Sequence, residues 1–123
     1  MNRVNRDVAI VGVGLVGRAW AAIFARAGWN VRLTEPHAPT LAAAPGLIRD
    51  ELHALARHGL ASDPDGAAAR VSVAASVADA VKDVEFVQEN GPENVDQKIK
   101  IVAQGLGRPL MNYLTPLQRH RGV

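Results

Sequence analysis

The sequence predicts an α/β fold: a doubly wound parallel sheet, incomplete at about four strands in the order 3-2-1-4. Three observations predict it. An apolar run, Val8-Ala9-Ile10-Val11, leads straight into Gly12-Val13-Gly14-Leu15-Val16-Gly17. A helical pattern follows, then a second apolar run over residues 30–34 that ends on Glu35, 18 positions after Gly17. Strand-like and helix-like stretches then keep alternating to residue 104. Such alternation needs crossover connections, and right-handed crossovers build a parallel sheet covered on both faces.

The first strand ends in three spaced glycines, each with its own task. Gly12 allows the tight turn, Gly14 lets an anion approach the backbone, and Gly17 lets the helix pack closely on the strand. The helix start offers N–H groups and a positive dipole end to that anion. A bare GxGxxG is weak evidence. Placed between a strand and a helix, with an acid closing the next strand, it is a dinucleotide-binding fingerprint.

In the helix, Val16, Ala19, Trp20, Ile23, Phe24 and Ala27 recur at helical spacing and predict the buried face. Arg18, Ala22, Ala25 and Arg26 fall on the other side, and Gly28 suits the helix end. Trp20 and Phe24 read as core side chains. At the end of the second strand, Glu35 would accept hydrogen bonds from ribose hydroxyls and repel an added 2′-phosphate, which favours NAD over NADP. Arg32 and His37 lie nearby in sequence and would weaken that discrimination. Arg32 alternates away from Val31 and Leu33 and reads as solvated.

Residues 40–59 carry Leu41, Ile48, Leu52 and Leu55 on one helical face. Pro is tolerated in a first turn and damaging further in, so the main helix is expected to begin near Pro45 and to stop at Gly59. Residues 62–66 read as a loop and 70–73 as a strand. Ser76 is expected to cap a short helix through Val81. Residues 84–88 form the fourth predicted strand, and 89–92 a loop. Asn94 and Gln97 resemble a capping box for a last helix with Val95, Ile99 and Val102 on one face, ended by Gly105. The order 3-2-1-4 puts the switch point between the first and fourth strands. Residues 12–17 stand on one side of that crevice and 89–94 on the other, where ligands bind in such sheets. The expected fold is therefore of the Rossmann type.

The 123 residues, 48% hydrophobic, allow one domain with a real core and not a second full domain. There is no cysteine, which excludes disulfides, thiolate metal sites and cysteine nucleophiles. No apolar run reaches membrane-spanning length, and residues 1–6 are too polar for a secretory signal, so a cytoplasmic location is expected. The net charge of +2 is uneven: residues 97–123 hold five basic residues and no acid, against nine basic and twelve acidic in the rest. A basic tail without interleaved aromatics gives little support to a nucleic-acid partner.

The run Val8-Ala9-Ile10-Val11-Gly12-Val13-Gly14-Leu15-Val16-Gly17-Arg18-Ala19-Trp20-Ala21 resembles the N-terminal domain of the 3-hydroxyacyl-CoA dehydrogenase family. Its Gly-Arg-x-Trp-Ala segment is closest to the lambda-crystallin-like gulonate 3-dehydrogenase branch. A second match is Gln88-Glu89-Asn90-Gly91-Pro92-Glu93-Asn94 with Lys98 following. The resemblance covers residues 6–104. It implies NAD as cofactor, with Leu15 and Val16 at the glycine turn and Glu35 on the adenosine ribose. It also implies Glu93 and Lys98 at the nicotinamide end. Read without the resemblance, the alternative for Glu93 is a carboxylate favoured by a helix dipole, and for Lys98 a solvated helix residue. Glu35 stands where the family usually has aspartate, and Pro45-Gly46 is expected to break a helix that the family keeps continuous.

The resemblance further implies a hydride transfer between NAD and a 3-hydroxyacyl-CoA or a sugar acid such as gulonate in the full-length enzyme. The family's serine strand and histidine–glutamate pair have no counterpart in residues 105–123, which read as a divergent basic tail. A catalytic helical domain is expected to be lacking as well. The expectation is a partial NAD-binding domain over residues 1–104 of a truncated dehydrogenase, without turnover alone. The alternatives are an NAD-binding sensor module or a non-functional remnant. No other catalytic set appears: His37, His53, His58 and His120 lack metal-ligand spacing, and Ser62, Ser72 and Ser76 lack a nucleophile elbow. With no fifth strand, the outer edge of the fourth would be open. Residues 110–114 could fold back onto it, or two chains could pair there as a homodimer; otherwise the domain is expected to be marginal and aggregation-prone.

Overall fold

The computed structural model describes residues 6–90. The helix expected after Asn94, the tail, Glu93 and Lys98 lie outside the described residues. The element order is β1 (Asp7–Val11), α1 (Leu15–Arg26), β2 (Asn30–Thr34), α2 (Ala38–Arg57), α3 (Pro64–Ala69), β3 (Val71–Val73), α4 (Val77–Val81) and β4 (Phe86–Glu89). The strands lie in the order β3-β2-β1-β4, and every pair is parallel. Register runs Val8 to Val31 on one side of β1 and Val8 to Phe86 on the other.

β1 is the centre of the sheet and reads as an unbroken apolar run because both its faces are covered. Val8 and Ile10 join Val31 and Leu33 beneath α1, α2 and Ala67 of α3. Ala9 packs on the opposite face with Ala74, Ala80, Val81 and Val84. An aromatic string ties α1 to β4: Trp20 to Phe24 at 6.2 Å, Phe24 to Trp29 at 5.3 Å, and Trp29 to Phe86 at 5.6 Å between ring centroids.

The buried face of α1 is not the one its large side chains predict. Gly17, Ala21, Ala22 and Ala25 are buried, Trp20 and Phe24 flank them, and Val16 and Ile23 point outward at 53% and 43% exposure. Ala19 and Ala27 are exposed as well. The reason is distance. Gly17 lies so close to the turn that the helix meets the sheet at short range, where only small residues fit. The end of α1 is as expected, with Ala27 as C-cap and Gly28 at φ +99°.

α2 is one helix from Ala38 to Arg57, with Pro45 inside it. The expected break at Pro45-Gly46 is absent. Proline in a helix interior costs about 3 kcal/mol. Ile48 and Leu52, both fully buried, return roughly 1.5–3 kcal/mol each, so packing carries the helix through. Its apolar face is the predicted one, with Ala44, Ile48 and Leu52 buried and Leu41 and Leu55 beside them. Gly59 follows the helix at φ +73°.

Residues 62–66 are not simply a loop. Asp63 caps α3 by accepting from the Gly66 N–H at 3.0 Å, and Pro64 takes the first helical position, where its missing N–H costs nothing. Ser76 caps α4 as predicted, accepting from the Asp79 N–H at 3.1 Å. β4 runs on through Glu89, which is buried rather than in a loop. Arg32 is only partly solvated. Its guanidinium donates to the carbonyls of Ala80 and Lys82 and lies 3.7 Å from the Asp7 carboxylate. The end of α4 leaves carbonyls without helical partners, and Arg32 sits on the sheet face that α4 covers.

Candidate functional site

The site sits where β1 ends. Gly12 adopts φ +89°, a left-handed conformation that side chains disfavour, and turns the chain toward α1. Every backbone polar group of residues 12 and 13 has a partner. The Gly12 N–H donates to the Thr34 carbonyl at 2.9 Å. The Gly12 carbonyl accepts from the Asn90 side-chain amide at 3.3 Å. The Val13 N–H donates to Glu35 Oε1 at 3.0 Å, and the Val13 carbonyl accepts from the Arg18 guanidinium at 3.3 Å. The turn is therefore braced from β2, β4 and α1 together.

Gly17 and Gly14 serve opposite purposes. A Cβ on Gly17 would overlap the Gly12 carbonyl, so the protein's own packing excludes one. A Cβ on Gly14 would meet nothing within 4 Å. Its backbone, at φ −70° and ψ −161°, is ordinary extended chain. Neither contact nor conformation demands glycine at position 14, so the open space in front of it is the cradle that a ligand would fill. Beside it α1 begins with no side-chain cap and no acid in its first turn. The opening amides of a helix have no partner within the helix, and there the dipole favours an anion. Leu15 and Val16 form the exposed rim, at 73% and 53% exposure.

Glu35 stands just past β2. Oε1 takes the Val13 N–H, and Oε2 takes the His37 N–H at 3.0 Å. A carboxylate offers about four acceptor positions, so two remain for hydroxyl donors. Its position is fixed before any ligand arrives. His37 is directed to Thr40, with 2.7 Å between Nδ1 and Oγ1. Arg32 is occupied at the end of α4 and so does not serve Glu35.

The structure thus brings together Gly12, Gly14, Leu15, Val16, Gly17 and Glu35. Arg18 and Asn90 are added to them. Sequence periodicity placed Arg18 on the outer face of α1, yet its guanidinium folds back to the turn. Asn90 lay inside a matched motif, but nothing in the motif marked its side chain as a brace. Among the described residues no group of three or more His, Cys, Asp and Glu could hold a metal ion, and no helix is long and apolar enough to cross a membrane. His53 bonds Asp65 at 3.0 Å on the surface.

These features define a dinucleotide-binding domain. Residues 7–106 match the family model for the 3-hydroxyacyl-CoA dehydrogenase NAD-binding domain, and the chain belongs to that family. It is similar to lambda-crystallin of Oryctolagus cuniculus, 41% identical over 101 residues, covering 80% of this chain and 32% of that protein. It is also similar to L-carnitine dehydrogenase of Nocardiopsis dassonvillei, 37% identical over 100 residues, covering 80% of this chain and 30% of that protein. Among solved structures, (S)-3-hydroxybutyryl-CoA dehydrogenase from Ralstonia eutropha superposes with a TM-score of 0.65 at 29% identity, over 82% of this chain and 36% of that one. The chain spans about a third of the length of the curated relatives it matches. NAD is the coenzyme of this domain.

Proposed function

We propose that the chain holds NAD with its pyrophosphate over Gly14, against the amides that open α1, and with its adenosine ribose on Glu35. The observation that carries this reading is the open space over Gly14 beside an uncapped helix start. Leu15 and Val16 flank the pyrophosphate, and the family resemblance assigns Glu93 and Lys98, outside the described residues, to the nicotinamide end. Glu35 selects NAD over NADP because its carboxylate repels a 2′-phosphate and its position is set by two backbone amides.

When bound, NAD supplies the hydride acceptor or donor. What this chain contributes is placement. Gly12 sets the turn, Gly17 seats the helix on it, and Glu35 fixes the distance between turn and ribose. In a complete enzyme the other substrate is a 3-hydroxyacyl-CoA or a sugar acid such as gulonate. The similarity to an L-carnitine dehydrogenase and a 3-hydroxybutyryl-CoA dehydrogenase supports a hydroxy substrate. Alone, the chain holds coenzyme without turnover. Glu35 and Arg18, the ionisable groups that brace the turn, are already engaged with backbone and form no acid–base pair for an alcohol. Pairing of two chains along β4 is part of the same proposal, supported by its outermost place in the sheet among the described residues.

Calorimetric titration of NAD and NADP into the purified chain tests the reading, with a dehydrogenase assay on 3-hydroxybutyryl-CoA and gulonate. Binding of NAD in preference to NADP, without turnover, is the expected result. No heat of binding with NAD overturns it.

A further inference from the structure

We propose that Asn90 is a positioning residue for the coenzyme site, bracing the glycine turn from the β4 side. This rests on the NAD-binding reading. Asn90 follows β4 directly, and its backbone N–H donates to the Val11 carbonyl at 2.9 Å, extending the ladder one residue past the strand. Its side chain then turns back toward the turn. Nδ2 lies 3.4 Å from the Val11 carbonyl and 3.3 Å from the Gly12 carbonyl. The same nitrogen stands 3.2 Å from the place a Cβ on Gly17 would occupy. The amide therefore fills the corner between the end of β1, the turn and the first turn of α1.

The chemistry of that corner asks for a donor. Both facing atoms are carbonyl oxygens, which fixes the amide orientation with NH2 inward, and an NH2 group has one hydrogen for each. Of the four polar groups of residues 12 and 13, three are held by Thr34, Glu35 and Arg18. Asn90 holds the fourth. The bonds are at the long end of the normal range, so the side chain contributes modestly to global stability. It sets where the Gly12 peptide points, and hence the approach to the amides of residues 14–17.

The test uses Asn90→Ala and Asn90→Asp in the full chain, with two readouts. One is NAD affinity by calorimetry from pH 5 to 8. The other is amide hydrogen exchange of Gly12 and Val13 without coenzyme, with Leu33 as internal reference. Removing a donor of this kind is expected to weaken NAD binding about 3- to 10-fold in Asn90→Ala. Asn90→Asp sets a carboxylate against two carbonyl oxygens and is expected to lose affinity by about 10-fold or more at pH 8. That loss should shrink as the pH falls and an O–H donor returns, whereas the parent and Asn90→Ala share no such recovery. The ionisable neighbours are Glu89 on β4, Glu35 after β2 and Arg18 on α1. They are common to all three proteins.

Exchange at Gly12 and Val13 should quicken in both variants while Leu33 stays as in the parent. Asn90→Ala with parental affinity and parental exchange overturns the proposal, and so does Asn90→Asp without the pH-dependent recovery. If the parent itself fails to bind NAD, the coenzyme reading falls. The exchange comparison then still decides whether Asn90 holds the turn.

Discussion

Gly14 and Gly17 allow a paired experiment in which one methyl group has two different fates. In Gly14→Ala the new Cβ meets no protein atom within 4 Å, and the extended backbone accepts any side chain. Stability should change by less than about 1 kcal/mol, the difference between glycine and alanine as an N-cap. Coenzyme affinity should fall much further. The methyl stands between pyrophosphate and amides, and one lost charge-assisted hydrogen bond is worth about 1.5–3 kcal/mol, or roughly 10- to 100-fold in affinity. In Gly17→Ala the Cβ overlaps the Gly12 carbonyl, so α1 or the turn must move. Overpacking of that kind costs about 1–3 kcal/mol, which for a domain of this size lowers Tm by roughly 4–12 °C. Thermal melts followed by circular dichroism, together with NAD titrations, read both effects. The reasoning is refuted if Gly14→Ala binds NAD as well as the parent, or if it melts as early as Gly17→Ala.

Glu35→Gln keeps one acceptor oxygen but loses the charge. NAD affinity should drop by about 10-fold and the preference over NADP should narrow, both read by titration. Pro45→Ala restores an amide that can bond the Leu41 carbonyl inside α2. Stability should rise by about 2–2.5 kcal/mol, the helix gain less the added freedom of the unfolded chain, and the urea midpoint should move up without a change in slope. Asp63→Ala removes the acceptor for the Gly66 N–H and should cost about 0.5–2 kcal/mol in the same urea experiment.

The sheet order was legible from the chain because alternation, crossover handedness and a glycine-rich first turn leave few arrangements. The Ser76 cap and the stops at Gly28 and Gly59 were legible for a local reason: each depends on one residue's own backbone or side chain. The inner face of α1 was not. Periodicity marks where apolar residues recur, but it does not weigh their size against the closeness that Gly17 imposes, and the alanines won. Pro45 was misread because a local penalty was set against no tertiary gain, and Ile48 and Leu52 supply that gain. Asp63-Pro64 held a helix start that the adjoining Gly66 disguised as a turn. At the site, the glycines and Glu35 could be named from spacing alone. The folding back of Arg18 and Asn90 onto carbonyls at the turn could not, since each partner is fixed only once the sheet has formed.

The aromatic string has a practical consequence. Trp20 and Trp29 are the only tryptophans in the chain, and both stand in that string, between α1 and β4. Indole emission therefore watches a single seam of the molecule. The layer around Ala80, Val81 and Val84, on the other side of the sheet, holds no tryptophan. Loosening there would pass without a fluorescence signal, so a fluorescence melt and a far-ultraviolet melt of this protein are two separate measurements, and their coincidence is the evidence that both layers come apart together.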